Sequence, residues 1–299
     1  MKANLQSILA PAAVCATAVP ARIPNSIPAL IGFALAGSLL LSPHALADET
    51  PGQAPDEAQT EELAKEAQNP VAKLISVPFQ NNLYFNTGPN HVTQYVLNIQ
   101  PVIPISLNDD WNLITRTIVP IINLPSPAPG APNAFGLGDI NPTFFLSPAG
   151  SRKLIWGIGP TFTLPTATDS LLGNSAWSAG PAAVVLTMQD HWVVGALLNQ
   201  QWSFAGWGDH YVSAFLAQPF LNYNLPHGWY LTSSPIITAN WAADSNDQWT
   251  VPVGGGLGKI QRFGKLPINF QVQAFYNAVN PTFAPDWQLR FQVQFLFPK

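Results

Sequence analysis

From Leu74 to the C-terminus, apolar and polar residues alternate with a period of two. The last stretch is the clearest: Trp287, Leu289, Phe291, Val293, Phe295 and Phe297 alternate with Gln288, Arg290, Gln292 and Gln294. An extended strand sends successive side chains to opposite faces, so this segment has one apolar face and one polar face. Near 75–85, Ile75, Val77, Phe79, Leu83 and Phe85 oppose Ser76, Gln80 and Asn82. Near 95–107, Tyr95, Leu97, Ile99, Ile103, Ile105 and Leu107 oppose Gln94, Asn98, Gln100 and Ser106. Further strands centre on 111–123, 138–147, 153–164, 176–188, 191–202, 210–224, 229–241, 248–259, 267–277 and 287–297, about twelve in all. An even number suits a closed bacterial barrel with both termini on one side of the membrane.

The connections support that reading. If the first strand runs outward, the inner turns are Asn108-Asp109-Asp110, 147–152, Gln189-Asp190-His191, 225–228 and 261–265, all compact. The outer connections at 125–136, 165–176, 242–248 and 277–286 are mostly longer, and only the one near 204–210 is short. Short periplasmic turns and long outer loops are the habit of outer-membrane barrels. Before the strands, 48–59 is acidic and rich in Pro, Gly and Gln, which predicts a linker. Residues 60–67 predict a short helix ended by Pro70, placed to lie below the barrel or to plug it.

Composition then removes the alternatives. Only 9% of the 299 residues are charged and 11% are aromatic, with 30 prolines and 10 tryptophans, yet mean hydropathy is only +0.14. No stretch after residue 50 approaches the ~18–20 uninterrupted apolar residues of a spanning helix. A closed barrel, in which the polar half of each strand dilutes the apolar half, is the remaining membrane-compatible form. The expected fold is therefore all-β: a transmembrane antiparallel up-and-down barrel over 71–299, preceded by a short N-terminal helix in a 48–70 periplasmic segment. Residues 1–47 read as an export signal, with Lys2 and Arg22 ahead of the apolar run Ala29–Leu41 and the small-residue cleavage site Ala45-Leu46-Ala47. The only cysteine, Cys15, lies within that leader, so the mature chain has no disulfide or thiol chemistry. Loss of Lys2 and Arg22 takes the formal charge from −4 to −6, which argues against a nucleic-acid partner.

Aromatic spacing adds a length scale. Trp192 and Trp202 share a face ten residues apart, which at ~3.3 Å per residue and a tilt near ~40° projects to roughly 25 Å, the height of the apolar band. Trp287 and Phe297 repeat that spacing, and Trp229 and Trp241 are slightly wider. These six are the expected membrane girdle.

Several phrases resemble a known family. LAKEAQNPVAKLISVPFQNN (63–82), NIQPVIPISLNDDWNLITRTIVPI (98–121), GLGDINPTFFLSP (136–148), GIGPTFTLPTAT (157–168) and QWTVPVGGGLGKI (248–260) are similar to the phenol-degradation (MetA-pathway) outer-membrane proteins, often labelled bacterial neuromedin U. The resemblance implies an outer-membrane barrel and transport of small compounds, aromatic ones among them. It brings no catalytic residue and no cofactor.

The candidate solute path is the polar face. Its amides are Gln80, Asn82, Gln94, Asn98, Gln100, Asn199, Gln201, Asn269, Gln271, Gln273, Gln288, Gln292 and Gln294. Amides donate and accept, which suits uncharged or weakly polar solutes, although they could equally bond one another and fill the barrel. Arg116, Asp139 and Arg290 must also point inward, because a lipid-facing Arg at the midplane costs roughly 2–4 kcal/mol. Arg116 and Asp139, on neighbouring strands, are expected either to pair or to form an ion-selective constriction. His91, His191, His210 and His227 fall at turns without ligand spacing, so no metal is expected. No strand supplies a Ser–His pair with an orienting group, so no catalysis is expected either. Ten prolines interrupt the strands, and each removes a ladder donor. Bulges relieve such a conflict; a wall kinked to open sideways is the other solution.

The expected function is therefore passive uptake of small neutral or weakly polar compounds through an outer-membrane channel or transporter. The alternative is a non-conducting structural or adhesive barrel acting through its outer loops. The partners implied are the lipid bilayer, lipopolysaccharide, the barrel-assembly machinery and a small-molecule solute.

Overall fold

The computed structural model describes residues 54–150, 153–207, 211–264 and 266–297. The expected leader lies outside the described residues. Helix α1 (Ala54–Ala67) comes first. The strand segments follow as β1 (Ile75–Thr87), β2 (Val92–Ile99), β3 (Val102–Ser106), β4 (Trp111–Leu124), β5 (Ala134–Leu137), β6 (Asn141–Pro148), β7 (Leu154–Thr163) and β8 (Ala176–Gln189). The second half adds β9 (Trp192–Gly206), β10 (Ser213–Asn224), β11 (Trp229–Ser233), β12 (Ile237–Asn240), β13 (Trp249–Phe263), β14 (Leu266–Val279) and β15 (Trp287–Phe297).

These segments make a closed antiparallel barrel of 12 staves. Segments β2 and β3 both pair with β4, β5 and β6 also pair with β4, and β11 and β12 both pair with β10 and β13. Each couple is thus one stave with a break. Every expected strand is present. The barrel closes where β1 meets β15, in continuous register from Ile75↔Phe297 to Phe85↔Trp287. Two of the breaks fall at prolines, Pro101 between β2 and β3 and Pro235 between β11 and β12. A proline has no N–H to give a neighbour, so pairing stops where one cannot be accommodated.

The alternation has the expected polarity. On β9, Val193 is 0% exposed and Val194 40%, so one residue faces the interior and the next the surroundings. The expected girdle residues Trp192, Trp202, Trp229, Trp241, Trp287 and Phe297 are all on the outward face and exposed. Lys259 lies 4.9 Å from the Trp229 ring centroid, a cation–π contact at one rim. An outward surface of Trp, Leu, Val and Phe would be untenable in water, and in a bilayer it is the solvated face.

The inside is not uniformly polar. One buried apolar cluster joins Ile114, Phe145, Val184, Leu186, Val193, Leu197 and Phe220 to Val71, a residue upstream of the first strand. A second joins Tyr84, Val96, Ile122 and Leu124 to Leu171 and Leu172, so the 164–175 connection turns back into the barrel mouth. The third packs Ala64, Ala72 and Leu74 against Ile260 and Leu296, which seats α1 and the following turn at the end where both β1 starts and β15 finishes. The interior is therefore stoppered at both ends by segments outside the wall.

Two outcomes follow. Cell-impermeant maleimide should label Cys at Ser170 and Ser245 on intact cells and leave Cys at Asp109 and Asp190 unlabelled; reversed labelling would invert the topology. Phe145→Ala should cost ~3–5 kcal/mol in urea unfolding from detergent, while Phe291→Ala, on the outward face, should cost far less.

Candidate solute site in the barrel lumen

Between the two stoppers lies a cavity of about 220 Å³. Its floor is Glu66, Ala67, Gln68, Asn69, Pro70 and Ala72, the end of α1 and the turn after it. Gln68 Nε2 donates to Asn224 Oδ1 at 2.8 Å, and Asn69 Oδ1 accepts from the Val71 N–H at 2.9 Å, so the floor is tied to the wall and internally braced.

Ten of the residues expected on the solute path line this cavity: Gln80, Asn98, Gln100, Arg116, Asn199, Asn269, Gln271, Arg290, Gln292 and Gln294. Many bond one another. Gln100 Nε2 donates to Gln80 Oε1, Asn269 Nδ2 to Gln294 Oε1 at 3.0 Å, and Gln292 Nε2 to the same Gln294 oxygen at 3.4 Å. The remaining expected amides, Asn82, Gln94, Gln201, Gln273 and Gln288, lie on the inner wall without lining the cavity. Gln288 Nε2 donates to Asn82 Oδ1 at 3.1 Å, Gln273 Oε1 accepts from the Ser234 N–H at 3.0 Å, Gln201 Oε1 accepts from Thr163 at 2.8 Å, and Gln94 is buried. An amide wall built this way is largely self-satisfied, which holds its donors and acceptors in fixed directions.

Both strand arginines point inward. Arg116 Nη2 donates to Gln100 Oε1 at 2.7 Å. Arg290 donates from Nε to Asn82 Oδ1 at 3.3 Å and from Nη1 to the Ser234 carbonyl at 2.9 Å, with its guanidinium 5.0 Å from the Phe275 ring centroid. Asp139 departs from expectation. It neither lines the cavity nor bonds Arg116: its carboxylate accepts from the Ala167 and Asn174 backbone N–H groups at 3.2 and 2.7 Å, pinning the infolded outer loop. The reason is local: Asp139 sits in the break between β5 and β6, where the backbone no longer follows the strand alternation.

Sequence reasoning missed Tyr230, Thr232, Ser234, Asn141, Gln218 and Asn222, which also line the cavity. Tyr230 Oη donates to Asn269 Oδ1 at 2.7 Å, and its ring lies over Gly258, where an added Cβ would come within 2.2 Å. The GGGLG run (254–258) is thus bare wall that admits an aromatic ring. Polar inward positions in LNYN and WYLTSS carried the signal. The apolar half of the cavity, Ile118, Leu197, Leu216 and Phe220, was missed for the opposite reason, since apolar residues on both faces hide the alternation.

The hydrogen-bond ladder is weakest in donors beside β8. Pro160 and Pro181 face each other across β7 and β8, so neither offers a ladder donor. Pairing of β8 with β9 lapses between Ala179↔Trp202 and Ala182↔Asn199. Outside that gap runs an apolar groove edged by Ile158, Pro160, Pro181, Leu198 and Phe215, and Asn199 borders both the groove and the internal cavity.

No family model matches the sequence, and no curated relative matches it. Among solved structures, an outer membrane channel from Pseudomonas putida F1 is similar with a TM-score of 0.56 at 18% identity, covering 75% of this chain and 94% of that one. A monoaromatic hydrocarbon channel, CymD, is similar at a TM-score of 0.44 and 10% identity, covering 81% and 93%. Outer membrane phospholipase A from Escherichia coli follows at 0.40 and 12%, covering 76% and 96%. The protein is a closed twelve-stranded barrel of outer-membrane type. The expectation that such a chain is not an enzyme is corrected here: the similar structures include a phospholipase, so barrel form does not exclude catalysis. Those weak likenesses say nothing about this chain's own activity.

Burial pushes the Glu66 carboxyl above its usual range, and Glu62 one turn earlier pushes it further. The docked state therefore holds a proton more tightly than the undocked one. Its stability is greatest below the ordinary value of 4.5 and falls as pH rises from there through the raised value. Protease cleavage within α1 should thus be slower near pH 4.5 than at pH 7, and Glu66→Gln should flatten that dependence.

Proposed function

We propose that the protein is an outer-membrane channel or transporter for passive uptake of small neutral or weakly polar compounds, aromatic ones included. The cavity inside the barrel carries this reading: its lining interleaves amides with apolar side chains, and it is capped by segments that are not part of the wall. A barrel that served only as a scaffold or an adhesin would have no use for a chamber of mixed polar and apolar lining behind segments that are not part of the wall. The likeness in fold to a protein described as an outer membrane channel is in keeping with this.

The phrases quoted above support kinship with the phenol-degradation outer-membrane proteins. Residues 1–47 are then a removed leader, 48–70 a periplasmic plug and 71–299 the barrel. The exposed tryptophans serve as the girdle, lipopolysaccharide surrounds the outer rim, and the barrel-assembly machinery inserts the chain. The cavity-lining amides and arginines are the solute path.

A sideways route is favoured over an axial one by a specific observation, the lapse in β8–β9 pairing where Asn199, alone among the described residues, borders both cavity and outer groove. Single-channel recording of the refolded mature chain, with and without residues 48–70, tests the channel itself; silence in both would remove it. Cysteines at Ala182 and Asn199, which are partners in register, test the route in a background free of other cysteines. Oxidation should halt solute uptake and leave ion conductance unchanged if solute leaves through the wall. Unaltered uptake would assign an axial path.

A further inference from the structure

The cavity is lined by two cations, Arg116 and Arg290, whose charge no carboxylate of the wall answers among the described residues. Arg116 makes one side-chain hydrogen bond among the described residues, to the neutral amide of Gln100. It is half-buried although it stands inside the barrel, so its remaining surface faces the cavity. Arg290 is 1% exposed, bonds only to an amide oxygen and to Ser234, and its Nη2 is buried without a partner. The one carboxylate that lines the same space, Glu66, belongs to the floor and bonds neither arginine among the described residues.

An enclosed guanidinium without a counter-ion is costly, and a ligand that supplies the missing charge recovers that cost. Its planar fork matches a carboxylate, with two parallel N–H···O bonds. In the same space Leu197, Leu216 and Phe220, from β9 and β10, and Ile118, two residues from Arg116 on β4, offer apolar surface. Size decides the rest: a cavity of ~150 Å³ is enough to bind benzene, so about 220 Å³ leaves room for a ring with a carboxylate attached.

We propose that the lumen cavity is a binding site for small monocarboxylates with an apolar body, of benzoate size, with the carboxylate on Arg116 and the ring against Leu197, Leu216 and Phe220. This names a substrate class for the site assigned above and rests on that reading. Arg290 contributes through the field, since two like charges in one low-dielectric chamber favour an anion more than either alone. Glu66 is the built-in competitor, because its negative charge at the floor opposes that of the ligand.

Calorimetric titration of the refolded mature chain with benzoate and with benzyl alcohol tests the site, the alcohol being a neutral molecule of nearly equal size. Benzoate should bind at least tenfold more tightly. Arg116→Gln should lower benzoate affinity tenfold or more and leave benzyl alcohol unchanged, and Arg116→Lys should restore part of the loss. Glu66→Gln, on the helix rather than the wall, should tighten benzoate severalfold. Equal affinity for the two probes, or an Arg116→Gln protein that binds benzoate normally, would overturn the carboxylate site. Should Arg116→Gln fail to fold, as judged by heat-dependent gel mobility, unchanged benzoate affinity in Glu66→Gln would overturn it instead. A protein that conducts yet binds neither probe would also sink this proposal while sparing the channel; silence in single-channel recording would sink the channel first.

Discussion

Hydrocarbon offers no hydrogen bonds, so every backbone N–H and C=O within the bilayer must find a partner in the chain itself. The continuous β1–β15 register meets that demand at the one place where a sheet would otherwise have two open edges. Much else follows from that closure. It requires an even, antiparallel succession of staves, it brings the start of β1 and the end of β15 to one rim, and it creates an inside. The wall prolines strain the same rule. Pro101 and Pro235 are handled by breaking the stave, and the Pro78 and Pro101 carbonyls still accept from Gln100 and Thr117 across the break. Pro160 and Pro181 are concentrated opposite one another, which confines the missing donors to a single seam.

The two faces of the wall obey different physics. Outside, lipid tolerates any apolar side chain, and tryptophans collect at the rims. Inside, a buried amide must be bonded, and the Gln80–Gln100, Asn82–Gln288 and Asn269–Gln294 pairs meet that need side chain to side chain. Arg290 is held by that network together with Phe275, whereas Arg116 hangs from a single amide. The amide network is thus rigid, while the helix end and the infolded loop that close the lumen are packed against the wall and tied to it by a few hydrogen bonds.

Much of this was legible in the residues. Period-two alternation located all twelve staves, and the inward phase of Arg116 and Arg290 followed from the cost of the alternative. What was not legible has a common physical cause. In β8 and β9, both faces are apolar, so alternation could not say that Val184, Leu186, Val193 and Leu197 face a core or that Val71 fills it. The Leu171-Leu172 pair in an outer loop was the visible sign that the loop folds inward. Asp139 was misplaced because alternation was extended across a break, and its partners are backbone groups 28 and 35 residues away that no local pattern encodes.

The floor of the cavity is continuous with the wall: Leu74 packs among the stopper residues, and Ile75 is already the first residue of β1. A stopper attached through so short a stretch of chain never diffuses away. Released from its seat, it remains at an effective concentration of the order of millimolar, and its return is first order, independent of how many copies the membrane holds. Any release of this stopper would for that reason be a local event that reverses without a second protein to close it.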